Sequence, residues 1–416
     1  MGSVLKKILR SLTYRWFILL IPYYRFKQNR RIKEVRKKNK IKVLFVVAEL
    51  SAWKTELLFK AMAAHPRFEP IVGATTSREV PGSKSALIEY LVAKKYTYVD
   101  LDQSGTTIKD IKPDIIFYYK PYETSYLEEV FIFHNTSPII CQVNYAFNQG
   151  GVSDAYKQVI RKYAWKEFIE NDLVFDTIVS LNGVYSNNKV VTGTPMQDVL
   201  MLPKEAFSDP WKDKSGKKRI IYAPHHSLKG TNGSYIEYST FLENGEFILQ
   251  LAKKYSDLIT WAFKPHPTLY PKLVKYWGKE KTDAYYVEWR NIEIGQIELG
   301  EYVGLFKYSD AMIHDSCSFI AEYLYTHKPV MFLEMKSKTA SEMLLGMFGY
   351  ESYNVHYHGQ THEEIEKFVN NVINGVDPLY DNRIELYKKH LVPPFGETAC
   401  NNIIDVILGN KSALIK

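Results

Sequence analysis

Residues 41–147 and 217–334 repeat one pattern: a short unbroken apolar run, then a segment whose apolar residues have helical spacing. A run such as IKVLFVVAEL (41–50) has no polar face, so it suits a strand covered on both sides. WKTELLFKAMAAH (53–65) follows with helical periodicity, and the alternation continues. The expected strands are 41–50, 68–76, 97–102, 112–121 and 137–147, then 217–227, 258–267, 309–318 and 328–334. The expected helices between them are 53–65 and 85–96, then 240–255, 268–279 and 319–327. Strands separated by helices form crossover units, and such units make parallel sheets.

The stretch 202–217, rich in Pro, Ser and charge, divides the two series. The fold expected is therefore α/β, with two tandem Rossmann-like lobes facing a cleft. Four segments are expected: 1–40, a first lobe over 41–205, a second over 206–380, and C-terminal helices over 381–416 that cross back to the first lobe. Length supports two domains rather than one, since the chain has 416 residues. Three cysteines with no CxxC spacing argue against a disulfide framework or a cysteine zinc site.

The net charge of +8 is unevenly placed. Residues 1–40 hold 13 Lys/Arg against one acid, Glu34, whereas the remainder carries 41 bases against 45 acids. The apolar centre of that segment, Trp16 to Ile21, is too short to span a bilayer. Tyr14, Trp16, Tyr23 and Tyr24 beside Lys and Arg suit a basic amphipathic helix lying on an anionic membrane. A basic tail for nucleic acid has no need of that aromatic cluster, so no nucleic-acid partner is expected.

In open parallel sheets, ligands bind beyond the carboxyl ends of the strands. Three polar clusters fall there in the second lobe: Pro224-His225-His226-Ser227, Lys264-Pro265-His266-Pro267, and His314-Asp315-Ser316-Cys317-Ser318. Prolines on both sides of His266 hold it in stiff extended chain. Asp315, Ser316 and Ser318 open a helix, where free amides attract anions, and Asp315 is expected to cap that helix or bind a hydroxyl. His225, His226, His266, His314 and Asp315 could compose a zinc shell, but adjacent histidines on a strand exit are expected to point apart, so no metal or other cofactor is expected. VDLD (99–102) has the form of a metal-binding DxD in the first lobe but is short enough to arise by chance. There is no P-loop and no GxGxxG.

From about Thr192 to Val330 these motifs, in this order, resemble the CDP-glycerol glycerophosphotransferase family of wall and capsule polymer assembly. TGTPMQD (192–198) is similar to the family's GxPRxD turn, and YAPHHS (222–227) to its YAPTHR strand exit. KPHP (264–267) matches directly, and 302–334 resembles ADxLITDYSSxxFDYLxxxKPIIFY. The sequence departs from the family where a WHGT-type histidine is usual, reading CQVNYAFNQGG (141–151), and Ser227 replaces the arginine of YAPTHR.

The resemblance implies a two-lobed GT-B architecture without a catalytic metal, at the inner face of a bacterial membrane. It implies transfer of a phospho-polyol, glycerol phosphate first, from a CDP-activated donor to a hydroxyl of a lipid-linked polymer, releasing CMP. His266 and Lys264 would meet the diphosphate, with Ser316, Ser318, Asp315, Ser227, Pro224 and Gly193 on the donor side. His226, or else His225, would be general base or assist the leaving group. Asn144 and Tyr145 would line the acceptor side. A rival of the same architecture is a glycosyltransferase using a nucleotide sugar, which releases a nucleoside diphosphate. A non-enzymatic membrane scaffold would bind no nucleotide.

Overall fold

The computed structural model describes residues 2–80, 82–228, 239–335 and 344–410, with side chains from residue 14 onward. The chain divides into two compact units. One comprises Met1–Asn148, Val152–Asp198 and Val392–Lys416, and the other Gln149–Gly151 and Val199–Leu391.

The first unit is built on β1 (Ile41–Val47), β2 (Phe68–Ala74), β3 (Tyr98–Asp100), β4 (Ile115–Tyr118), β5 (Ile139–Val143), β6 (Lys166–Ile169) and β7 (Lys189–Val191). The second is built on β8 (Lys218–Ala223), β9 (Ile259–Phe263), β10 (Gly295–Ile297), β11 (Ala311–His314), β12 (Val330–Leu333) and β13 (Tyr357–Gly359). The two sheets run β3-β2-β1-β4-β5-β6-β7 and β10-β9-β8-β11-β12-β13, and every ladder is parallel. In each, the order reverses beside the first strand, between β1 and β4 and between β8 and β11. Such a reversal opens a crevice where a ligand can sit.

Four strands fall outside the apolar runs of the sequence: β6, β7, β10 and β13. β6 and β7 begin on lysines, and Glu167 of β6 is fully buried. Glu167 pairs with Arg161 at 2.5 Å and with Lys189 at 2.7 Å, all three enclosed by the unit. A charged pair closed inside a sheet makes its strands read as polar. The carboxylates of the VDLD motif are partly buried and paired within the first unit: Lys84 binds Asp100 at 2.5 Å and Asp102 at 2.7 Å.

The N-terminal helix, Gly2–Val35, departs from a simple interfacial helix because it has two apolar stripes. Phe17, Ile21, Ile32 and Val35 are buried in the first unit's core, with the Phe17 ring edge-to-face with Phe133 at 4.8 Å and tilted against Tyr163 at 4.9 Å. Gln28 is buried with them. It donates to Tyr163 O at 3.0 Å and accepts from Ile140 N at 2.8 Å. Arg36 donates to Val406 O and Ile407 O, both at 2.8 Å, closing the end of the helix Ala399–Leu408. The other stripe holds Trp16, Leu19, Tyr23 and Phe26, 55–70% exposed. No described helix is long and apolar enough to cross a membrane.

Candidate functional site

Three adjacent strands end at one level. Register pairs Tyr222 of β8 with Phe263 of β9, and Ala223 of β8 with His314 of β11. Ile, Tyr, Trp and Phe fill much of these strands because branched and aromatic side chains pack well on a pleated surface. The next residues, Pro224, Lys264 and Asp315, are the first beyond each strand end. The polar clusters thus meet at the reversal point of the second sheet.

The three histidines do meet. Ring centroids are 4.3 Å apart for His225 and His226, 4.2 Å for His226 and His266, and 5.3 Å for His225 and His266. The expectation that adjacent histidines point apart is corrected here: the chain bends at His226, just beyond β8, and both rings lie beside His266. His266 N donates to Pro224 O at 3.1 Å, which ties the two loops and accounts for Pro224.

Each ring has its Nδ1 facing a donor. His225 Nδ1 accepts from Ser227 N at 3.2 Å, with the Ser227 hydroxyl at 2.8 Å. His266 Nδ1 accepts from Thr268 N at 3.2 Å, with the Thr268 hydroxyl at 2.9 Å. His226 Nδ1 lies 2.8 Å from Lys272 Nζ, which can only donate. A ring nitrogen that faces a donor holds the lone pair, so in the neutral rings the proton sits on Nε2. Burial, then neighbouring positive charge, lowers His225 to about 3 and His266 to about 4, and lowers His226 as well.

The set offers ring nitrogens within 4.8 Å of one another, close enough for one ion. Its hydrogen bonding suits an anion. A histidine that ligates a metal donates its other N–H to an acceptor, and here the other nitrogen faces donors. Three Nε2–H groups beside the Lys272 ammonium form a cradle for phosphate oxygens. The same arrangement leaves His226 Nε2 as a donor, so it suits help to a leaving group and not general-base work.

Asp315 does not cap the helix it leads into. It is fully buried and accepts from His225 N at 2.5 Å, Thr240 N at 2.6 Å and the Thr240 hydroxyl at 3.1 Å. Burial lifts its carboxyl to about 7, with those donors pulling the other way. Its work is to hold the His225 loop against the start of the helix Phe241–Lys254. The helix after it is one turn, Phe319–Glu322, followed by a tighter turn, Tyr323–Thr326. So short a helix has little dipole to offer. Ser316 is buried, Ser318 is exposed, and Ser316 N donates to His314 Nδ1 at 3.2 Å.

Lys264 is nearly buried. Its Nζ donates to Gly300 O at 3.0 Å and lies 5.6 Å from the Tyr302 ring centre. Gly193 lies in the first unit, whereas the donor-side cluster belongs to the second. At φ +76°, a Cβ there would meet Pro393 and Ala399 at 2.9 Å. Asp198 of the same turn accepts from Ala399 N at 2.7 Å and Cys400 N at 2.8 Å. The TGTPMQD turn therefore seats the C-terminal helix. Asn144 and Tyr145 lie just beyond β5, where Asn144 Nδ2 donates to Ala146 O at 2.7 Å. Sequence reasoning missed Lys272, Thr240 and Thr268. A repeated signal was available for one part: His225-x-Ser227, His266-x-Thr268 and His314-x-Ser316 use one device at three strand ends.

The CDP-Glycerol:Poly(glycerophosphate) glycerophosphotransferase family matches residues 140–408, about two thirds of the chain. The chain belongs to this family. Among solved structures it resembles the wall teichoic acid polymerase TagF, in a variant soaked with CDPG, at TM-score 0.58 and 15% identity over 99% of this chain and 98% of that one. It also resembles the UDP-GlcNAc 2-epimerase of Neisseria meningitidis bound to UDP-GlcNAc (TM-score 0.57, 15% identity, 89% and 100% covered). The S. aureus MnaA–UDP structure is similar as well (0.56, 18%, 90% and 97%). At these identities the likeness shows a shared GT-B-like fold. No curated protein sequence matches. As a family member the chain is a transferase of the CDP-glycerol glycerophosphotransferase type.

Proposed function

We propose that this chain moves glycerol phosphate from CDP-glycerol to a hydroxyl of a membrane-linked polymer, releasing CMP. The observation that carries the reading is the cradle of three Nε2–H donors and one ammonium at the reversal point of the second sheet. The acceptor hydroxyl oxygen bonds to the β-phosphorus and gives up its proton to water, while the bond from that phosphorus to the oxygen bridging the two phosphates breaks and its electron pair leaves with CMP. His266 donates to the diphosphate, Lys264 adds charge beside it, and His226 and His225 stabilise the departing CMP. Ser227 and Pro224 hold the histidines in place, and Ser316 and Ser318 border the donor side. Positioning and charge stabilisation do most of the work in such a transfer. Asn144 and Tyr145 are assigned to the acceptor side on the first unit. The nucleotide product tests this: CMP from CDP-glycerol is expected, and a nucleoside diphosphate released from a nucleotide sugar instead would overturn it.

The exposed stripe of the N-terminal helix is proposed to rest on the inner membrane surface. Lys27 lies 5.4 Å from the Tyr23 ring and Arg30 6.0 Å from the Phe26 ring, so cations flank the aromatic side chains. Each basic residue near an anionic surface contributes roughly 1 kcal/mol. Changing Trp16, Leu19, Tyr23 and Phe26 together to serine is expected to abolish co-flotation with phosphatidylglycerol-containing vesicles, while turnover of a soluble acceptor persists. Unchanged flotation would remove the helix from the membrane reading.

A further inference from the structure

A cavity of about 580 Å³ lies in the first unit at the amino ends of β4 and β5, where Pro113 and Pro138 lead into the strands. Its volume falls in the range of roughly 300–1,000 Å³ common for ligand sites. It sits at the opposite end of the sheet from Asn144 and Tyr145. Arg31, Lys109, Lys112 and His134 line it with the hydroxyl residues Thr136 and Ser137, and among the described residues no Asp or Glu does. Neither lysine is in a salt bridge among the described residues. Asp110, which stands between them, is turned back onto Thr107, whose N–H donates to it at 3.0 Å. Arg31 has Asp114 at 3.9 Å, a carboxylate already bound by Lys38 at 2.6 Å. Lys112 closes the helix Ile108–Ile111 at φ +51°, a left-handed conformation that glycine takes at less cost. Cations with so little local neutralisation, around a cavity without carboxylates, suit an anion.

The cavity flanks the N-terminal helix. Arg31 comes from that helix, and His134 follows Phe133, whose ring meets Tyr14 at 5.8 Å and Phe17 at 4.8 Å. Tyr23, Lys27 and Arg31 are spaced by four, so they rise along one side of the helix. Tyr23 belongs to the exposed stripe, and Lys27 lies over its ring. We propose that the cavity takes the phosphodiester headgroup of an anionic phospholipid, with Arg31, Lys109 and Lys112 on the phosphate oxygens and Thr136 and Ser137 on the headgroup hydroxyls. The proposal rests on the membrane reading of the helix above. A planar guanidinium grips two phosphate oxygens at once, and the ammonium groups add point charge. An interfacial helix seats its aromatic stripe at headgroup depth, so a cavity on its flank is presented to phosphates of the same leaflet.

Flotation of the full chain with two sets of vesicles tests this. One set carries phosphatidylglycerol, and the other carries dioleoylglycerol succinate, a carboxylate lipid, at matched surface potential. The wild-type protein is expected to bind the phosphatidylglycerol surface at least about 10-fold more tightly, the effect of two further basic contacts. Lys109→Gln with Lys112→Gly removes both ammonium groups from exposed positions, and the glycine relaxes the backbone. This variant should lose the preference and keep its binding to the carboxylate surface. Equal binding of the wild-type protein to both surfaces, or equal loss on both in the variant, overturns the headgroup site and leaves the helix on the membrane. A thermal midpoint raised by soluble glycerol phosphate in the wild-type protein alone, with no preference between vesicles, overturns the lipid in favour of a free phosphate. Flotation with neither surface overturns the membrane reading and the headgroup site with it.

Discussion

His266→Ala is expected to lower turnover by about 10²–10⁴-fold, the range seen when a positioned proton or hydrogen-bond donor is removed from a reacting centre. The ring is half-buried on a loop, and its backbone N–H still reaches Pro224 O after the change. Stability should therefore move by no more than about 1 kcal/mol. His225, His226 and Lys272 remain, so donor affinity should fall less than turnover. Turnover within about threefold of wild type, measured on protein with an unchanged thermal midpoint, would remove His266 from the reaction.

Asp315→Ala should act in the opposite manner, on stability first. It leaves the buried amides of His225 and Thr240 and the Thr240 hydroxyl without their acceptor. Orphaned buried donors cost about 1–3 kcal/mol each and do not add fully, so a loss of about 3–5 kcal/mol is expected. Asp315→Asn should be intermediate, because its amide group turns a donor toward a donor. Activity should fall with it through misplacement of His225. Thermal unfolding followed by tryptophan fluorescence reads the effect on the second unit, where Trp211, Trp261 and Trp289 are buried. A change below about 1 kcal/mol for Asp315→Ala would mean that this carboxylate does not hold the site together.

The two sheets were legible in the sequence wherever strands were apolar throughout, because burial on both faces leaves no polar residue to break the run. They were illegible where the protein encloses charge, as at Glu167 and Lys189, since an internal ion pair looks like surface from one dimension. The donor-side residues were legible as clusters following strands, and parallel pairing then brought His225, His226 and His266 together. Their tautomers were not, since these depend on Ser227, Thr268 and Lys272, one of which lies 46 positions from its ring. Asp315 was found by position, but of its two expected uses it does not cap its own helix; it accepts from the Thr240 hydroxyl and from the amides of His225 and Thr240, which belong to a distant loop. Gly193 was grouped with the donor by motif, whereas its surroundings are the C-terminal helix. The basic N-terminal segment showed its charge and its aromatic residues but not that Phe17, Ile21 and Gln28 dock onto the first unit.

The most direct test uses CDP-glycerol labelled at the phosphorus next to glycerol, supplied with membrane-linked polymer to the wild-type protein and to His266→Ala. The label should appear in the polymer with one CMP released per label transferred, and the variant should lose both signals together. Label remaining in small-molecule products, or incorporation that His266→Ala leaves intact, would contradict glycerol-phosphate transfer at the histidine cradle.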